Sequence, residues 1–181
     1  MIADFPNGKV VFVHIPRTAG TSIESSLIRV PDEHKHLRAS QLKNIVGEAW
    51  EDAYKFTFIR NPFDRVISLF HAPYYRDINI LSDKSLAFFL DNYFLPVWEH
   101  GFTQHDYLDC SIDDIFFFEK SRQEFDRLNI KLSPFGAKID HSIRLRSNNR
   151  QAGYRDFYNS STRKTVEVLY EEDFTRFGYD F

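Results

Sequence analysis

The segment Val10-Val11-Phe12-Val13-His14-Ile15-Pro16-Arg17-Thr18-Ala19-Gly20-Thr21-Ser22-Ile23-Glu24 runs from an apolar strand pattern, through small residues and hydroxyls, into a helix start. A junction of that kind receives an anion. A helix N-terminus carries roughly +0.5 charge and several unbonded N–H groups, and a glycine there lets the chain approach a phosphate-like group closely. The candidate contacts are Arg17, Thr18, Ala19, Gly20, Thr21 and Ser22. The segment departs from the nucleotide-triphosphate loop G-x-x-x-x-G-K-[ST], because His14 or Ile15 stands at the first glycine and no lysine follows Gly20. Thr21-Ser22-Ile23-Glu24 also reads as a capping box, in which Thr21 and Glu24 satisfy the helix N–H groups with no ligand at all.

A second segment repeats the logic. Lys55-Phe56-Thr57-Phe58-Ile59 is a buried-strand run closed by Arg60-Asn61-Pro62-Phe63-Asp64-Arg65-Val66-Ile67-Ser68. Pro62 suits a first helical turn, and Phe63, Val66, Ile67 and Phe70 recur at helical spacing, with Asp64, Ser68 and His71 on the opposite, polar face. Arg60 at a strand end and Ser68 two turns into the next helix can converge on one phosphate, the first as a forked charged donor and the second as a neutral one.

Together these segments resemble the sulfotransferases, more narrowly the carbohydrate-type family with motifs H-I-P-K-T-A-G-T-S and R-N-P-x-D-R-x-x-S. The resemblance implies that Arg17 to Ser22 hold the 5′-phosphosulfate of 3′-phosphoadenosine 5′-phosphosulfate (PAPS, product PAP), and that Arg60 and Ser68 hold its 3′-phosphate. Arg17 replaces the family's usual lysine. It keeps the charge in a planar fork and so retunes the leaving-group contact. Phe102 to Leu108, Asp114 to Glu119, Tyr154 to Tyr158 and Tyr170 to Tyr179 look like later landmarks of the same family.

Sulfuryl transfer to a hydroxyl is an in-line displacement aided by cationic donors and a base that takes the acceptor proton. Of seven histidines, His34 and His36 lie between the two motifs, where the family's catalytic histidine is found, and His34-Lys35-His36 resembles the H-x-H of its glycosaminoglycan 2-O-sulfotransferases. The resemblance makes His36 the first candidate base, followed by His34 and then His14. Exposed histidines on a charged segment are the plain alternative. No third ligand or carboxylate at suitable spacing accompanies them, and no metal is expected.

These residues need a scaffold. The 181-residue chain can bury a substantial core, with 43% hydrophobic and 17% aromatic residues, nineteen of them Phe. The pattern calls for strands over 10–15, 55–59 and 114–118, and helices over 21–30, 63–72, 84–95, 122–128 and 160–170. Val166, Leu169, Tyr170 and Phe174 share one face of the last. Alternating βα units call for an α/β, P-loop-like three-layer fold with a central parallel sheet between helices. Residues 131–157, with Arg144, Arg146, Arg150 and Arg155, read as a polar loop, over a ligand or simply solvated. No linker divides the chain, so one sulfotransferase domain over 1–181 is expected.

A net charge of −3 gives no global attraction to nucleic acid or anionic membrane, so an anionic cofactor must be captured by local arginines. The single cysteine, Cys110, excludes an intramolecular disulfide and has no activating surroundings. No apolar run approaches the ~20 residues that span a bilayer, and a core strand begins within about ten residues of the N-terminus, which points to a cytoplasmic protein resembling bacterial forms. The acceptor is expected to be a hydroxyl on a sugar, glycolipid or small metabolite. Two other readings stay open, a small-molecule kinase of the P-loop type and an inactive nucleotide-binding module.

Overall fold

The computed structural model describes residues 1–27, 35–72, 85–91, 102–140 and 152–181. The chain divides into two compact units, each of two segments: Met1–Arg60 with Asp106–Ser147, and Asn61–His105 with Asn148–Phe181.

The first unit is built on a four-stranded sheet in the order β1 (Ile2–Phe5), β2 (Gly8–Val13), β3 (Tyr54–Ile59), β4 (Asp114–Phe117). β2, β3 and β4 run parallel, as their unbroken apolar runs require. β1 is antiparallel to β2, so the sheet is mixed, not wholly parallel. Phe5 pairs with Gly8 across Pro6-Asn7, a two-residue turn in which Gly8 takes φ +138°. The Asn7-Gly8 dipeptide is the local turn signal.

Register sets the core. Phe12 stands opposite Phe56 and Phe58 opposite Phe116, and the rings stack at centroid separations of 5.0 and 5.1 Å, with Phe56 meeting Phe116 edge-on at 6.0 Å. Ile23 and Leu27 of α1 (Gly20–Leu27) close over this aromatic face. Leu128 and Leu132 of a helix over Ser121–Leu132 join them. α2 (Ala39–Val46) packs against β2 and buries Ala39 and Leu42 outside that cluster. β2 ends at Val13, two residues short of the sequence reading, because the chain turns away through His14-Ile15-Pro16. The Ser121–Leu132 helix outruns the expected 122–128 and continues into a 3-10 turn over Ser133–Phe135, so that residues 131–135 are helical, not loop.

The second unit holds α3 (Pro62–Phe70). Asn61 caps it, its side chain accepting from Phe63 N at 3.0 Å, and Pro62 occupies the first turn. Phe63, Val66 and Ile67 form a core with Val166, Tyr170, Leu86 and Phe89. The expected 160–170 helix is two: α4 (Ser160–Leu169), capped by Asn159, and α5 (Glu171–Phe177). Val166, Tyr170 and Phe174 still share one cluster across the break. Leu86–Phe89 is helical within the stretch 84–95 read as helix, of which 84 and 92–95 lie outside the described residues, and Tyr154–Phe157 is a 3-10 turn within the stretch read as loop. Arg65, placed on neither face by periodicity, is fully buried, with its guanidinium donating to the Phe102 carbonyl at 3.0 Å and the Tyr170 hydroxyl at 3.3 Å. Among the described residues no helix is long and apolar enough to cross a membrane.

Candidate functional site

At the end of β2 the backbone makes an unusual turn: Arg17 and Ala19 both take left-handed φ values, 71° and 76°. A residue with a Cβ costs roughly 1–3 kcal/mol in that region and persists there only when its surroundings hold it. Three bonds do so. Thr18, fully buried, donates its hydroxyl to the Ile15 carbonyl at 2.9 Å, and the Ala19 carbonyl takes the N–H of Ser22 at 3.0 Å as α1 begins. The Arg17 carbonyl accepts from Arg60 Nη1 at 3.1 Å.

Among the described residues the hydroxyls of Thr21 and Ser22 make no hydrogen bond, although their carbonyls accept from Ser25 and Ser26. Thr21 and Ser22 are half-buried at the helix start, where the first N–H groups precede any intrahelical acceptor. Arg60 stands at the mouth of the same loop, with its guanidinium carbon 4.2 Å from the Phe118 ring centroid. Cation, hydroxyls and helix N-terminus are thus gathered on one turn, the arrangement needed to surround a phosphate or sulfate.

Glu24 does not close a capping box. Its carboxylate meets His14 Nδ1 at 2.6 Å, with both side chains under a tenth exposed. Burial acts to raise the Glu24 carboxyl, but the hydrogen bond and charge of His14, joined by Lys35 and His36, hold it below the usual carboxylate range. The His14 ring in turn explains Gly20, whose φ is ordinary. A Cβ built there would lie 1.8 Å from His14 Nε2, so the glycine makes room for the imidazole as well as for any ligand.

Of the candidate bases, His36 lies beside this pair. Its Nδ1 donates to the His14 carbonyl at 3.1 Å and its ring centroid is 4.4 Å from that of His14. His34 falls outside the described residues, as do Arg144, Arg146 and Arg150 of the stretch read as a polar loop. Ser68 is buried on α3, not on an open polar face, while Asp64 and His71 are half-buried. The loop, Arg60 and His36 are therefore brought together within one unit. Sequence reasoning missed the part played by Glu24, because T-x-x-E is a strong local cap signal and the true partner lies ten positions back.

Residues 2–83 match the model of the sulfotransferase family. The matched stretch contains both sequence segments and the His36 position. Over the whole chain, the sulfotransferase likeness extends to the fold of a solved structure, the mouse sulfotransferase SULT7A1 complexed with PAP. That similarity covers 96% of this chain and 86% of the other at 15% identity and a TM-score of 0.58. At that identity the likeness is one of fold. No curated protein matches the chain.

Proposed function

We propose that the chain is a PAPS-dependent sulfotransferase, a single domain over residues 1–181, that moves a sulfuryl group to a hydroxyl on a carbohydrate, glycolipid or small metabolite. The observation that carries this reading is the turn 17–22, with its two left-handed residues, its unengaged Thr21 and Ser22 hydroxyls and Arg60 tied to its backbone, in a stretch that matches the sulfotransferase family. The donor set suits a phosphosulfate, being made of cationic and neutral N–H and O–H groups.

PAPS, when bound, supplies the activated sulfuryl group. The loop backbone, Thr21 and Ser22 would hold its 5′ end, Arg17 would meet charge on the leaving side, and Arg60 would hold the 3′-phosphate. His36 takes the acceptor proton. Its Nδ1–H is committed to the His14 carbonyl, so Nε2 is the basic nitrogen of the neutral ring. His34 is the second candidate for that role.

The test is transfer from labelled PAPS to a panel of sugars, glycolipids and small hydroxyl metabolites. We expect label on at least one acceptor, and a loss of roughly 10²–10⁴ in transfer for His36→Ala with PAP affinity nearly unchanged. Wild-type turnover in His36→Ala would move the base elsewhere. PAP binding without transfer to any acceptor would indicate a binding module.

A further inference from the structure

The His14 ring is wedged among three groups. Its Nδ1 faces the Glu24 carboxylate, its Nε2 occupies the space a Cβ on residue 20 would fill, and the His36 ring lies against it at an interplanar angle of 56°. Phe12 stacks on it at 5.5 Å from below, in continuation of the aromatic face of the sheet. The carbonyl of this same residue accepts the Nδ1–H of His36, whose backbone is itself left-handed at φ 59°. A carbonyl oxygen can only accept, so this contact places the proton of the neutral His36 ring on Nδ1.

We propose that His14 is a positioning residue for His36: its carbonyl selects the Nδ1–H tautomer of His36, its ring fixes the plane of the His36 ring, and Glu24 locks the His14 ring in place. A histidine whose two nitrogens are assigned by a neighbour in this way presents one defined basic nitrogen, not an even mixture of two. The consequence for turnover rests on the sulfotransferase reading above; the geometry does not. Among the described residues, the charged groups that act on the Glu24 carboxylate include His14, Lys35, His36 and the amino group of Met1. By reciprocity the carboxylate favours the protonated form of His36, and removing its charge makes that ring release its proton at lower pH.

The experiment is long-range ¹H–¹⁵N NMR of the histidine rings in the full chain, without nucleotide, across a pH titration of the wild type and of Glu24→Gln. We expect the neutral His36 ring of the wild type to be dominated by the Nδ1–H tautomer, and its titration midpoint to fall in Glu24→Gln. A dominant Nε2–H tautomer in the wild type would overturn the proposal whether or not the variant folds, and an unchanged midpoint in a folded Glu24→Gln would do the same. PAP added to the same samples separates the two readings. No PAP response with the Nδ1–H tautomer in place would count against the cofactor and leave the His14–His36 relation standing.

Discussion

An alanine at position 20 cannot be accommodated by a side-chain rotation, because the atom it meets at 1.8 Å belongs to a ring that Glu24 and Phe12 hold in place. Overpacking a well-ordered site costs typically 1–3 kcal/mol and more when the neighbour cannot yield. Gly20→Ala should therefore destabilise by about 3 kcal/mol in urea titration, and adding His14→Ala should recover part of the loss. Simple additivity of the two would show that the ring is not what the glycine accommodates. Arg60 supports a different prediction. If it reads a 3′-phosphate, Arg60→Ala should weaken PAP by about 1.5–3 kcal/mol, the usual scale of a bond to a charged group. Adenosine 5′-phosphosulfate, which lacks that phosphate, should be affected much less. Equal losses by calorimetry would leave Arg60 as a brace for the Arg17 carbonyl alone.

At the scale of elements, charge pairs tie strand ends to helices, and their response to acid follows from the direction of each shift. Glu24 joins α1 to the end of β2. Asp114, at the start of β4, takes Lys131, Tyr54 and Arg127, which outweigh burial and hold its carboxyl low. A carboxyl held below its unfolded value contributes stability that is complete above the unfolded value and disappears as pH falls through the folded one. Asp173 has the opposite sign. Burial pushes it up against the N–H groups of Gln104 and His105 and the charge of Arg65, so its ionisation costs stability as pH rises. Glu24 and Asp114 should make the urea midpoint drop as pH falls below about 4, near the ordinary carboxylate range, with Asp173 acting in the opposite direction. Glu24→Gln should flatten that fall, and an unaltered slope would mean that the His14–Glu24 pair contributes no net stability.

The whole molecule offers no long-range attraction to an anion. With a net charge of −3, whatever captures a nucleotide must be the local loop, and its effect is then read as ordinary linkage. PAP at 100 times its dissociation constant should stabilise the fold by about 2.7 kcal/mol. For a chain of this size each kcal/mol moves the melting temperature by roughly 2–4 °C, so a rise of about 5–10 °C is expected. ATP with magnesium should give far less, since no lysine follows Gly20. No shift at millimolar PAP would remove the cofactor, and a larger shift with ATP and magnesium would favour a kinase.

What the sequence determined by itself is what short-range chemistry encodes. Unbroken apolar runs marked β2, β3 and β4, Pro62 and the 3.6 spacing marked α3, and glycine with hydroxyls marked the strand–helix junction where the anion loop is proposed. Tertiary structure decided the rest, because the deciding partners are distant in the chain or carried by the backbone. The antiparallel β1 depends on a two-residue hairpin whose strand is too short to stand out, and the break between α4 and α5 interrupts an apolar face that continues through it. Periodicity assigns Arg65 to neither face, and its burial rests on acceptors from Phe102 and Tyr170 that lie far away in the chain. Glu24 matched a local cap, yet a buried imidazole ten residues away offered a charge-assisted bond that a solvated helix N–H cannot equal. Which nitrogen of His36 carries the proton was likewise settled by a backbone carbonyl, a group that every residue possesses and no sequence pattern can locate.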